Sequence, residues 1–421
     1  MTSDQLQSVF PPLRVILSNQ GDAETQYQLA YKYDTGDGIA QDFDEAMKWY
    51  RKAADHGHVR AQYNIARMYA NGRGVPPDPA EAVKWYRLAA DAGLERAQYN
   101  LALAYHDGTG LPRDPVLAIA WYRKAADQGN AYAQNNLGAM YDNGQGVPLD
   151  PAAAAMWYRK AADQGFARAQ FNLGCKYARG QGVPQLDPEA LDWYRKAANQ
   201  GFARAQYSLG CMYALGRGVA RDPVAAAMWY RRAADQGDAS AQCSLALAYD
   251  TGDGVQQDYA EAMQWYRRAA DGGNDVAPNN LGRIFEDGRG VPQDNAEAVN
   301  WFRKGAERGN AAAQFNLGRM YENGRGAPLD YAEAIKWYTK SAEQGTAEAQ
   351  FNCGTMHYTG RGVPQDIVEA HRWFQLAAST FPDSEAEKRN RAAKNRDLAA
   401  ARIKQSHGTL LSRFTGQRKP K

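Results

Sequence analysis

The stretch Trp121–Gly129 reads WYRKAADQG, and the same nine letters return at Trp157–Gly165. Near copies stand at Trp193 (WYRKAANQG) and Trp229 (WYRRAADQG). Working outward, the ten tryptophans of the chain run from Trp49 to Trp373 at a constant spacing of 36 residues, and none falls outside the series. A fixed period of this size marks a repeat array, which must be read before any local motif. Ten such units account for about 360 of the 421 residues.

One unit shows the pattern. In Ala61–Ala70 the apolar residues Ala61, Ile65, Met68 and Tyr69 fall at helical offsets. The segment NGRGVPPD then breaks the helix. Asp78 is a suitable N-cap, with Glu81 three residues on as in a capping box. The second helix carries Ala82, Trp85, Tyr86, Ala89 and Ala90, and Gly93 suits a left-handed C-cap. Each unit therefore reads helix, turn, helix, turn. Small residues at Ala61, Ala66, Ala82 and Ala89 let helix backbones approach while the aromatic rings fill the remaining space. One helix pair cannot cover its own apolar faces, so the next unit must.

The segment Ala313–Gly345, AQFNLGRMYENGRGAPLDYAEAIKWYTKSAEQG, resembles a Sel-1-like repeat, a relative of the tetratricopeptide repeat. The resemblance rests on A-x-x-x-L-G-x-x-Y, G-x-G-V, D-x-x-x-A and the W-Y-x-K-A-A-x-x-G run, repeated along nearly the whole chain. It implies an all-α fold, a right-handed α/α superhelical solenoid, with the first helices lining the concave side. It also implies an adaptor or scaffold rather than an enzyme. The chain lacks the cysteine pattern by which some secreted relatives bridge the helices of each unit. Departures from the repeat carry expectations of their own. Leu186 replaces the usual Asp, with Asp187 one step later, which predicts a late start for that helix. Pro278 replaces Gln and predicts a disturbed first turn. Asn135 and Asn279 replace an aromatic residue, and His357 replaces Tyr.

Residues 1–22 are expected to form a capping half-repeat, with Pro11–Asn19 in the place of a second helix. Residues 23–381 form the ten repeats, and 382–421 a basic C-terminal helix and tail. That last segment holds eleven Lys/Arg and four Asp/Glu, a net of +7, so with +3 overall the first 381 residues carry −4. Ser384 is a plausible N-cap for a helix over 384–405, laid on the last repeat and followed by a loose GQRKPK. Four cysteines (Cys175, Cys211, Cys243, Cys353) are too few for a disulfide framework and read as small apolar fillers. With no secretory signal or membrane-length apolar run, a cytoplasmic location is expected.

Catalytic and metal chemistry finds no footing in the sequence, and no cofactor is expected. His56 and His58 share a turn without further ligands at metal spacing, and read as solvated loop residues. The G-x-G loops follow helices rather than strands, so they are turns and not phosphate cradles. The basic pairs Arg51-Lys52, Arg123-Lys124, Arg159-Lys160 and Arg231-Arg232 read as a solvated, locally neutralised face.

The first helix of each unit is the candidate binding face. One of its positions carries Asn64, Asn100, Asn136, Asn172, Asn280, Asn316 and Asn352, although Asn is a poor helix former. These amides either bond the neighbouring repeat or grip an extended peptide, since each offers donors and an acceptor. Four residues earlier stand Arg60, Arg96, Tyr132, Arg168 and Arg204, and three residues later Arg67, Arg283 and Arg319. These positions vary from unit to unit while the packing positions do not. The expected function is a non-catalytic scaffold binding a protein or peptide, acidic or carboxylate-bearing, along a basic groove in the first six units. A tether that docks nucleic acid or an anionic membrane through the basic tail is the alternative. The tail has too few aromatics for base stacking, which argues against specific nucleic-acid binding.

Overall fold

The computed structural model describes residues 21–415, the last ten by backbone alone. The expected N-terminal cap over Pro11–Asn19 and the expected loose end from Gly416 onward lie outside the described residues. Among those described there are 21 α-helices and no strand. They pair along the chain as expected: Val59–Asn71 with Pro79–Asp91, Glu95–Asp107 with Pro115–Asp127, Ala131–Asn143 with Pro151–Asp163, and so on. The chain divides into two compact units. The first runs to Ala205 and takes in Arg217–Val219; the second comprises Gln206–Gly216 and everything from Ala220.

Local chemistry sets the helix ends. The Asp78 carboxylate accepts from the Glu81 N–H at 3.0 Å, which satisfies a donor that the first turn would otherwise orphan. First helices stop at glycines such as Gly72, whose φ of 68° is left-handed. The late start expected after Leu186 does not occur. That helix begins at Asp187, in register with Pro151 one repeat earlier, but without a side-chain cap. The Asp187 carboxylate instead receives Arg217 Nη2 at 2.6 Å and Nε at 3.2 Å. Packing of the helix body holds the register, and the missing cap weakens the end without moving it. Pro278 does shorten its helix, which spans only Ala277–Asp287.

The core is built of small residues against rings. Tyr50, Tyr122, Tyr266 and Tyr338 are at most 1% exposed. A buried aromatic removes roughly 150–250 Å² from water, about 4–6 kcal/mol before entropy is subtracted. From Gly74 onward, the second glycine of each G-x-G loop lies against the preceding repeat. At Gly110, where φ is 75°, an added Cβ would come within 2.2 Å of the Pro79 carbonyl oxygen. Only glycine fits there.

A glutamine clasp joins successive repeats, and periodicity alone did not disclose it. Buried Gln98 donates to the Ala90 carbonyl at 3.2 Å, capping the preceding helix. Its own oxygen accepts Gln128 Nε2 at 2.8 Å, and Gln128 also donates to the Gly93 carbonyl at 3.1 Å. Gln134 with Gln164, Gln170 with Gln200, and Gln314 with Gln344 repeat the arrangement. Where the second glutamine is replaced by Ala92, Gly272 or Thr380, the oxygen of Gln62, Gln242 or Gln350 is left buried without a partner. Where Pro278 replaces the first glutamine, Arg308 replaces the second and donates to the Ala270 carbonyl at 2.7 Å. The opening motif WYRKAADQG thus carries, next to last, the glutamine that fastens its own repeat to the previous one.

The basic pairs in that motif are mostly exposed, as expected, but they also make structural contacts. Arg51 Nη2 donates to the Tyr69 hydroxyl of the next repeat at 2.6 Å, and Arg303 to Tyr321 at 2.8 Å. Arg87, Arg123 and Arg159 make the same bond to Tyr105, Tyr141 and Tyr177. Lys52 and Lys124 lie over the rings of Trp49 and Trp121 at 3.9 and 3.8 Å.

After a short 3₁₀ turn at Asp383–Glu385, the last helix runs Ala386–Thr415. Ser384 therefore sits in the turn and does not cap the helix, which also extends beyond the expected 405. Ala392 and Ala399, two turns apart on one face, are fully buried. Lys388 reaches Glu348 of the last repeat at 3.0 Å, and Arg391 lies over Phe351 at 4.9 Å.

Candidate functional site

In the first unit, the first-helix face carries Arg60, Arg67, Arg96, Arg168 and Arg204, all exposed. Among the described residues none of these five takes part in an ion pair. At one end the side chains of Tyr27, Tyr31, Tyr63, Arg60, Arg67 and Arg96 wall a pocket of about 550 Å³. Arg67 lies 6.0 Å from the Tyr63 ring centroid. Burial raises the Tyr27 phenol, and the nearby Arg60 charge opposes that shift. Glu95 is the one acid in the wall, and it is engaged by Asn130. The pocket therefore presents surplus positive charge over an aromatic floor.

The asparagine row lies beneath this face and is tied into the array. Asn100 donates to the Tyr63 hydroxyl at 3.4 Å, and Asn136 to the Tyr122 hydroxyl at 3.2 Å. Asn64 is buried beside the phenols of Tyr27 and Tyr50, and the Tyr50 hydroxyl donates to Asp34 at 3.3 Å. In the repeats that follow Asn135 and Asn279, an amide pair replaces the phenol. Asn172 donates to Asn135 at 3.0 Å and Asn316 to Asn279 at 2.9 Å. The two departures from the aromatic pattern are thus explained: an amide oxygen serves as acceptor where a hydroxyl is missing. Asn280 and Asn352 stand beside the phenols of Tyr266 and Tyr338, where the Tyr338 hydroxyl donates to Glu322 at 2.6 Å and the buried Tyr266 hydroxyl has no hydrogen-bond partner among the described residues. The asparagine bonds offset the poor helix propensity of Asn, since a buried polar group needs a partner.

The second unit treats its arginines differently. Arg319 meets the buried Glu286 carboxylate at 2.6 Å, and Arg289 meets the buried Asp250 carboxylate at 2.5 Å. Arg283 remains exposed. The positions equivalent to Arg60 and Arg96 hold Ser240, Val276, Ala312 and Glu348, and Glu348 is paired with Lys388.

The chemistry-bearing residues elsewhere serve packing. Burial pushes the Cys243 and Cys353 thiols up to about 12, far from the reactive range. His56 is exposed, as expected, whereas His58 is half-buried. The His58 ring accepts from the Ala61 N–H as an N-cap and meets Glu24 at 2.9 Å, while His56 bonds Gln26 at 3.2 Å. Among the described residues no group of three or more His, Cys, Asp or Glu side chains could hold a metal ion. No helix among them is long and apolar enough to cross a membrane.

Comparison with known proteins agrees with this architecture. A profile of the Sel1 repeat matches ten segments, residues 23–58, 59–94, 95–130, 131–166, 167–202, 203–238, 239–274, 277–310, 311–346 and 347–379. A protective antigen of uropathogenic Escherichia coli displaying an SLR fold is 32% identical, with 100% of this chain and 98% of that chain covered at a TM-score of 0.65. A Sel1 repeat protein from Oxalobacter formigenes is 36% identical over 72% of this chain and 88% of that one, at a TM-score of 0.57. No curated protein sequence matches the chain. The profile skips residues 275 and 276, immediately before the helix that Pro278 shortens. With repeat, period and fold in agreement from Ala23 to Ser379, the chain belongs to the Sel1 repeat family.

Proposed function

We propose that this protein is a non-catalytic scaffold that holds an acidic segment of a protein partner against the first-helix face of its first unit. The observation that carries this reading is the row Arg60, Arg96, Arg168 and Arg204, exposed and free of ion pairs in repeats whose packing residues scarcely vary. Unpaired guanidinium groups on a rigid helical face are suited to carboxylate recognition, because each offers a planar fork of donors. The asparagines fix the floor, and the arginines make the contacts. A tether through the C-terminal segment draws on charge that is partly engaged already, since Lys388, Arg389 and Arg391 contact Glu348, Asp383 and Phe351.

Fluorescence anisotropy with a labelled glutamate-rich peptide tests the reading. Wild-type protein should bind it, more weakly as salt rises, because exposed charges are screened. Arg60, Arg96, Arg168 and Arg204 changed together to Glu should abolish binding while circular dichroism stays helical. Retention of the peptide by that variant overturns the proposal.

A further inference from the structure

Among the described residues only two aromatic side chains are exposed, Tyr31 at 43% and Tyr132 at 57%. Both lie on first helices of the first unit, and both neighbour the unpaired arginines. Tyr31 belongs to the pocket walled by Arg60, Arg67 and Arg96. Tyr132 occupies the position that holds Arg96 one repeat earlier and Arg168 one repeat later.

Tyr132 is also backed by other rings. Its centroid lies 5.9 Å from that of Tyr99 and 4.7 Å from that of Phe166. Phe202 follows in the position equivalent to Phe166 and packs 5.4 Å from Phe171. The row therefore reads, repeat by repeat, Arg60, Arg96, an aromatic platform, Arg168, Arg204. The second unit has no counterpart: the positions of Phe166 and Tyr132 become Asp238 and Ser240, then Asn274 and Val276, then Asn310 and Ala312. A tyrosine this exposed adds little to folding, whereas a rigid ring with a polar tip makes an effective contact surface.

Resting on the acidic-partner reading above, we propose that Tyr132, backed by Tyr99 and Phe166, is a specificity seat. It receives one aromatic or large aliphatic side chain of the partner segment. Acidic residues on either side of that side chain meet Arg60 and Arg96 on one flank and Arg168 and Arg204 on the other. The partner is thus a protein segment with an acidic–apolar–acidic pattern, rather than a uniformly acidic one.

Two fluorescein-labelled peptides test this: one with a central tryptophan between two runs of glutamate, the other with serine in its place. Wild-type protein should bind the tryptophan peptide at least fivefold more tightly. Tyr132→Ser, which installs the residue found at Ser240, should erase that preference and leave the serine peptide unchanged. Tyr132→Phe should keep it. A tryptophan preference that survives Tyr132→Ser, or equal binding of both peptides by wild type, overturns the seat and leaves the acidic-partner reading standing. Failure of wild type to bind either peptide overturns both.

Discussion

The first-helix faces of the two units share a scaffold and differ in what their arginines do. In the first unit Arg60, Arg96, Arg168 and Arg204 are exposed and, among the described residues, make no ion pair. In the second, Arg289 and Arg319 are held by Asp250 and Glu286, which are 6% and 9% exposed. One position near the end of the first helix contributes to the difference. It holds Asp250, Glu286 and Glu322 in consecutive repeats of the second unit; the first unit has Asp34, Ala70, His106, Asp142 and Ala178 there, with Asp34 and Asp142 paired to Arg73 and Lys176. An arginine paired with a buried carboxylate is a fastening; an exposed arginine without an ion pair is a surface. Counting charges would have assigned both faces the same role.

The largest expected effect comes from the packing that both faces share. Gly110→Ala forces a positive φ and a clash with the Pro79 carbonyl, and should cost about 3 kcal/mol of stability by denaturant unfolding. It would weaken binding only through lost folding. The fourfold Arg→Glu variant of the first unit separates the two. Acidic-peptide affinity should fall about a hundredfold while the unfolding midpoint barely moves, since exposed substitutions usually stay within about 0.5 kcal/mol each. A large loss of stability would show that these arginines are fastenings too.

A smaller effect is expected at the floor of the face. Asn172→Ala leaves the Asn135 oxygen without the donor it holds at 3.0 Å, and Asn135 is only 4% exposed. The loss should be about 1–2 kcal/mol in denaturant unfolding, with peptide affinity little changed. Affinity lost without stability would return the asparagines to the binding surface. Glu286→Ala tests the comparison from the other side. It should cost about 1 kcal/mol, because Arg319 can turn to water, and acidic-peptide affinity should rise a few-fold as that arginine is released. Unchanged affinity would show that release alone does not make a binding face. The smallest effect is a gain. Ala92→Gln supplies the missing half of the clasp to the unpaired Gln62 oxygen and should raise stability by about 0.5–1.5 kcal/mol.

Much of this was legible in the residues. The spacing of Trp49 to Trp373 established the array, Asp78 and Gly72 its helix boundaries, and Pro278 the disturbed start of its helix. The arginine row was visible because it varied where the core did not. The effect of Leu186 was misread, because a cap contributes about 1 kcal/mol whereas buried rings on the helix body contribute several. The clasp could have been suspected from paired replacements, Pro278 with Arg308, but not from any helical period.

By itself, then, the sequence determined the helices, their pairing and their number, because these follow from local propensity and from apolar faces that only a neighbouring repeat can cover. Tertiary structure alone decided which polar residues are fastenings and which are surface. Gln98 meets Gln128, Asn172 meets Asn135, and Arg319 meets Glu286 across 30, 37 and 33 residues of chain. Partners so far apart in sequence come into reach only when repeats stack, and burial then makes each bond obligatory. What makes no ion pair after stacking includes Arg60, Arg96, Arg168 and Arg204 around Tyr132, the surface that we propose meets a partner.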